Sequence, residues 1–280
     1  MIRMVLPELP IGETVESGVY WLNDNFGFLM DIFSDIIDML ISGFKDALLF
    51  LPPFVFMIVA AALIYLISRK NTKLAIGSAV GLLLIDSMGL WTLSMETVAL
   101  VLSSALVALI IGIPMGILAA KNETAFHVIK PVLDFMQTMP SFVYLIPAVI
   151  FFGLGNVPGL VATIVFAMPP AIRLTNLGIR QVPVELEEVA TAFGTTSIQK
   201  LFKVELPVAL PTIMAGVNQC IMLSLSMVVI AAMIGARGLG YQVLVGIQRV
   251  DIGQGFEAGL GIVIIAIILD RLTQNLTPKK

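Results

Sequence analysis

Between Glu188 and Pro207 the chain reads E-V-A-T-A-F-G-T-T-S-I-Q-K-L-F-K-V-E-L-P, a polar stretch set between two long apolar segments. These residues suit helix starts and turns. Pro183 fits the first turn of a helix, where its missing N–H is no loss. Glu185, Glu187 and Glu188 then place negative charge near the positive end of that helix. Gly194 lies where the helix must stop and turn, and glycine accepts left-handed backbone angles cheaply. Ser197 to Val204 makes a second amphipathic piece with Lys200 and Lys203 toward its end, and Pro207 and Pro211 reopen an apolar helix. Read as residues alone, this is an ordinary loop of well-capped short helices between two apolar segments.

The elements that position the loop are membrane helices. The chain has 280 residues, 58% of them hydrophobic and only 12% charged, with a mean hydropathy of +1.01. Soluble domains carry about twice that charge fraction. Fifteen prolines and 23 glycines suit helices that bend and pack closely in lipid. The single cysteine, Cys220, lies inside an apolar run and can join no disulfide framework. Residues 1–20 lack the basic start and apolar run of a secretory signal. Over 21–51, Leu29, Ile32, Phe33, Ile36, Ile37, Leu40, Phe44 and Leu48 recur at helical spacing, with an acidic face opposite that includes Asp31, Asp35, Asp38 and Asp46. This predicts an amphipathic helix lying along the membrane surface or against the bundle.

Apolar stretches long enough to cross a bilayer fall near 50–68, 74–92, 96–119, 139–155, 157–176, 208–234 and 256–272, about seven spans in all. With the 177–207 loop in the cytoplasm, twelve of the sixteen basic residues become internal: Arg69, Lys70, Lys73, Lys121, Lys130, Arg173, Arg180, Lys200, Lys203, Arg271, Lys279 and Lys280. Only Arg3, Lys45, Arg237 and Arg249 stay outside. The positive-inside rule therefore places the N-terminus outside and the C-terminus in the cytoplasm.

No G-x-x-x-x-G-K-[ST] occurs, so no nucleotide is bound by a P-loop, and no metal cluster, nucleophile triad or nucleic-acid patch is visible. Ion-coupled carriers hold ionisable groups near the bilayer midplane. Here Asp86, Glu96, Asp134 and Asp270 all fall near span ends, and the single histidine, His127, falls in a connection. That pattern speaks against a proton- or sodium-driven secondary transporter, which stays as the lesser alternative.

The loop resembles the signature E-A-A-x3-G-x9-I-x-L-P of the membrane subunits of binding-protein-dependent ABC importers. Glu188, Ala190, Gly194, Leu206 and Pro207 fall on its places, while Val189 and Val204 stand where the signature has alanine and isoleucine. The match extends over roughly residues 95–275. Gln137–Pro147 (Q-T-M-P-S-F-V-Y-L-I-P), Phe166–Arg173 (F-A-M-P-P-A-I-R) and Ser226–Gly240 (S-M-V-V-I-A-A-M-I-G-A-R-G-L-G) are similar to the glycine betaine/proline betaine branch.

The resemblance implies an all-α integral membrane fold: a five-helix type I importer core at 95–275 with a cytoplasmic coupling loop at 177–207. Residues 1–51 would be an external tail and surface helix, and 52–94 peripheral scaffold helices. It also implies two copies of a separate ATPase that carries the ATP and magnesium, an external substrate-binding protein, and a second permease copy, with a homodimer favoured. The setting would be the plasma membrane of a bacterium or archaeon. The cargo implied is glycine betaine or a related quaternary amine; choline, carnitine or an amino acid are the alternatives. A quaternary ammonium has no N–H to donate, so aromatic faces suit it; Phe142 and Tyr144 are candidates, with Asn218, Gln219 and Ser224 as polar groups along the path. Each has a plainer role open to it, in packing or in interhelical hydrogen bonding. Arg237, in the turn-rich Gly235–Gln242, lies where the family meets its binding protein; an ordinary surface turn is the other reading.

Overall fold

The computed structural model describes residues 10–68 and 70–276, so Arg3, Arg69, Lys279 and Lys280 of the charge count lie outside the described residues. Every regular element among them is helical. The amphipathic segment forms α1 (Ile11–Leu49), starting about ten residues earlier than its periodicity implied. Its axis turns by 96° into α2 (Pro53–Ile67) at the Pro52–Pro53 pair, where the missing N–H groups end one helix and start the next. Only part of the apolar face of α1 is covered. Ile37 and Ile41 are buried in the main core, whereas Leu29, Ile32 and Ile36 remain exposed.

After α2 the chain returns in α3 (Thr72–Ser87), capped by the Asn71 side chain accepting from the Leu74 N–H at 3.2 Å. Then follow α4 (Trp91–Lys121), α5 (Glu123–Thr138), a 3₁₀ turn (Ser141–Tyr144), α6 (Leu145–Phe152) and α7 (Asn156–Arg180). The loop helices α8 (Val184–Ala192) and α9 (Ser197–Lys200) lead through a π-helical turn, Leu201–Glu205, into α10 (Leu206–Ser226). The chain finishes with α11 (Val228–Ala232), α12 (Leu239–Arg249) and α13 (Ile252–Leu276). At the centre α7 packs against both α4 and α10. A β-carbon on Gly116 of α4 would sit 2.6 Å from Thr175 Cβ of α7, so only glycine permits this approach.

Four helical rods are long and apolar enough to span a bilayer: α4, α7, the continuous Ser197–Ala232 and α13. Two bent pairs, α1–α2 and α5 with the Ser141–Phe152 piece, raise the number to six, against about seven expected. The shortfall is α3, whose 16 residues reach only about 24 Å. Prolines break less than their number suggested. Pro147 and Pro158 sit in first helical turns, and Pro169 and Pro170 lie inside an unbroken α7. The expected span at 139–155 is instead a sharp bend of 107° at Met139–Pro140.

Candidate functional site

Lys121, Arg180 and Glu205 converge at one end of the bundle, and the 184–207 loop stands there. Its first helix, α8, closes with a double hydrogen bond. Gly194 donates to the Thr191 carbonyl at 2.9 Å and Thr195 N–H to the Ala190 carbonyl at 3.2 Å, with Gly194 at φ +73°. This is the left-handed Schellman closure that a C′ glycine permits. Ala190 is buried at that closure, while Glu188 is exposed and has no partner among the described residues. The second helix opens with a capping box: the Gln199 N–H donates to Thr196 Oγ1 at 3.3 Å, and the Thr196 N–H donates to Gln199 Oε1 at 3.0 Å.

The expected separate second loop helix, ending where Pro207 reopens a membrane helix, is not what forms. α9, the π turn and α10 run on as one rod. Pro207 has no N–H and its ring crowds the carbonyl one turn earlier. The π turn relieves this, with the Leu206 N–H reaching back to the Leu201 carbonyl. The rod Ser197–Ala232 has 36 residues, about 54 Å, well beyond the ~30 Å hydrocarbon core, so its first turns project into water.

Ion pairs hold this projecting loop to the bundle. Lys200 Nζ lies 3.0 Å from Glu187 Oε2, which holds the Lys200 ammonium above its ordinary pKa despite some desolvation. Lys121, the last residue of α4, pairs with Glu205, which is fully buried. Arg180 at the end of α7 donates to Glu123 at 2.6 Å and to the Ala119 carbonyl at 2.9 Å, and stacks over Phe126 at 4.5 Å. The ends of α4, α5, α7 and the loop are thereby tied together.

The residues considered for a substrate path do not form one cluster in the single chain. Phe142 is half exposed. Tyr144, two residues on, is buried, and its hydroxyl donates to the Met136 carbonyl across the α5–α6 bend. Ser224 is also buried and donates to the Cys220 carbonyl at 2.9 Å. Asn218 and Gln219 do share a cleft of roughly 460 Å³ with Pro211, Met214 and Gln274. Asn218 donates to Asp270 Oδ1 of α13 at 2.9 Å and accepts from Thr273, so it joins α10 to α13. At the opposite end of the bundle, the Arg237 backbone N–H donates to Asn156 Oδ1 at 2.8 Å while its side chain is exposed. It borders a polar crevice of roughly 640 Å³ that also takes in Asp35, Asp38 and Lys45 of α1.

The family described as "Binding-protein-dependent transport system inner membrane component" matches residues 112–280. The chain belongs to this family. This permease is 48% identical over 275 residues to the glycine betaine transport system permease protein OpuAB of Bacillus subtilis, covering 98% of this chain and 97% of that one. It is 51% identical over 276 residues to the glycine betaine/carnitine transport permease protein GbuB of Listeria monocytogenes, covering 98% of each. A solved inward-facing structure of the MetNI methionine ABC transporter superposes with a TM-score of 0.60 at 23% identity, covering 68% of this permease and 96% of that chain. At that identity the likeness shows a shared type I importer fold, with about a third of this permease outside it.

Three loop residues that the signature leaves unspecified stand out. Phe193, Ile198 and Phe202 are 83%, 71% and 64% exposed, an apolar patch on a water-facing element. Such patches mark protein contacts. The signal was present, because large apolar side chains interrupt an otherwise polar loop. Glu205 and its partner Lys121 carried no comparable signal.

Proposed function

We propose that this permease is the membrane subunit of an ATP-driven importer that takes up glycine betaine or related quaternary amines by alternating access. The observation that carries the reading is the pairing of full-length similarity to two permease subunits named for glycine betaine with a loop whose outer face is apolar and exposed. The outer face of α8 and α9, with Phe193 and Ile198, is the surface that docks on the ATPase, positioned by Glu188, Ala190, Gly194, Leu206 and Pro207. Holding a neutral solute at a thousandfold gradient costs roughly 4 kcal/mol, which a passive pore cannot sustain. No P-loop is present, so two copies of a partner ATPase supply that energy with ATP and magnesium. ATP closure draws two such loops together and opens the bundle outward; hydrolysis reverses it. The coupling arises because ATPase contacts differ in energy between the two membrane conformations.

The loop end faces the cytoplasm, in keeping with the placing of basic residues, and the N-terminus lies outside. Two copies of the chain pair, so that faces exposed in one copy enclose the path. On this reading Phe142, Asn218 and Gln219 are the path candidates that the fold leaves accessible, and Tyr144 and Ser224 support the walls behind them. Arg237 and the crevice beside α1 meet the external binding protein. Residues 95–275 form the core, and 1–51 and 52–94 the surface helix and scaffold around it.

Uptake of labelled glycine betaine into proteoliposomes holding this permease, its ATPase and its binding protein tests the reading. Uptake that requires internal ATP is the expected result; uptake by this chain alone under an ion gradient overturns it. Carnitine, which appears in the name of one close relative, is the second substrate to try in competition.

A further inference from the structure

Glu205 is the only charged side chain among the described residues with no exposure to solvent. Neither of its carboxylate oxygens accepts a well-aligned hydrogen bond, so its charge is balanced by ammonium groups alone. Lys121, at the end of α4, is in direct contact; Lys200, on the loop helix α9, stands at 3.8 Å. Lys200 at the same time holds Glu187 of α8 at 3.0 Å. A buried carboxylate stripped of its partner is strongly unfavourable, so it must stay within reach of one ammonium or the other.

Glu205 also ends the π turn Leu201–Glu205. A π turn holds one residue more than the α-helix around it, and such turns recur at functional sites. On one side of it lies the projecting loop, on the other the membrane helix α10. The importer signature leaves position 205 unspecified, so nothing in that motif accounts for an acid here.

We propose that Glu205 is a positioning residue that transmits displacement of the loop to the end of α4. When the ATPase draws α8 and α9 aside, Lys200 moves with them, while the carboxylate cannot enter water. The Lys121 end of α4 therefore follows, keeping its ammonium on the carboxylate. The loop and α4 change place together, and α4 carries the motion to α7 through the close contact at Gly116. The inference rests on the importer reading given above.

The test uses proteoliposomes with the whole complex, measuring solute uptake and ATP hydrolysis in the same vesicles. Lys121→Arg keeps the pair, and in Lys121→Met the Lys200 ammonium at 3.8 Å still faces the carboxylate, so both should fold and keep the ATPase bound. Lys121→Met is expected to lower solute moved per ATP about tenfold, a typical size for coupling between sites. Lys121→Arg should restore the ratio to within about twofold, because it keeps the pair. Glu205→Gln combined with Lys121→Met should be no worse than Lys121→Met, since the buried charge leaves with its partner. An unchanged ratio in Lys121→Met, with the ATPase bound as in the wild type, overturns the proposal. So does a fall in uptake and hydrolysis together with loss of the ATPase, which marks a purely structural pair. Wild-type permease that takes up glycine betaine under an ion gradient without its ATPase would instead remove the importer reading itself.

Discussion

The loop at 184–207 and the bend at 139–152 are both short breaks between helices, yet they are held in opposite ways. The loop makes its own turn: Gly194, Thr191, Ala190 and Thr195 close α8 with bonds no more than five residues apart. The bend depends on distant partners, with Tyr144 packed beside Ala162 of α7 and Met227 after α10. One region is a self-contained part whose outer face is free; the other is a joint within the core. Free outer faces are where a partner can be met without disturbing the fold, and joints are where a change spreads through it.

Changes that should break the loop's function without breaking its fold give the largest effect. Aspartate tolerates left-handed angles better than most residues, and a β-carbon on Gly194 meets nothing within 4 Å. Gly194→Asp is therefore expected to keep expression and helicity while lowering ATP-driven uptake more than tenfold; uptake at wild-type level would remove the loop from the coupling path. Phe193→Ser comes next. Its side chain is 83% exposed, so thermal stability should stay within about 0.5 kcal/mol. Binding of the ATPase to detergent-purified permease should weaken about tenfold, measured by titration. An unchanged affinity would leave the patch without a partner.

At the bend the expected signs reverse. Tyr144→Phe removes one hydroxyl bond and should cost about 1 kcal/mol of stability, read as a lowered thermal unfolding midpoint, with uptake changed less than about threefold. A large loss of uptake with intact stability would instead put the Tyr144 hydroxyl in the substrate path. The smallest effect concerns pH. The Lys200 ammonium is held above its ordinary pKa by Glu187, so the stabilisation from that pairing is complete below the ordinary lysine value of about 10.4. It is lost only as pH rises through the still higher folded value. Limited proteolysis at 184–200 should therefore be flat between about pH 7 and 9 and quicken only in strong alkali. Quickening already near pH 8 would show that this ion pair does not hold the loop.

The loop was legible because its signals are local. A left-handed turn requires a residue such as Gly194, acids after Pro183 mark a helix start, and neither depends on the rest of the chain. Where legibility failed, a longer-range term had taken over. Pro207 promised a fresh helix start, but α10 merges with the loop helix through a π turn. Tyr144 offered a hydroxyl to a ligand, but the α5 backbone had claimed it. Ser224 looked like a pore-lining polar group, but its own helix satisfies it and the core encloses it.

By itself the sequence determined a multi-span helical membrane protein, the family and the loop, since apolar content, motif spacing and turn chemistry are properties of neighbouring residues. Only the tertiary structure decided that Glu205 lies fully buried against Lys121 and that Asn218 joins α10 to α13. It alone also decided that Phe193 and Ile198 stand free. Burial and pairing are set by where separate helices meet, and the close contacts that bring them there, such as Gly116 against Thr175, join residues far apart in the chain.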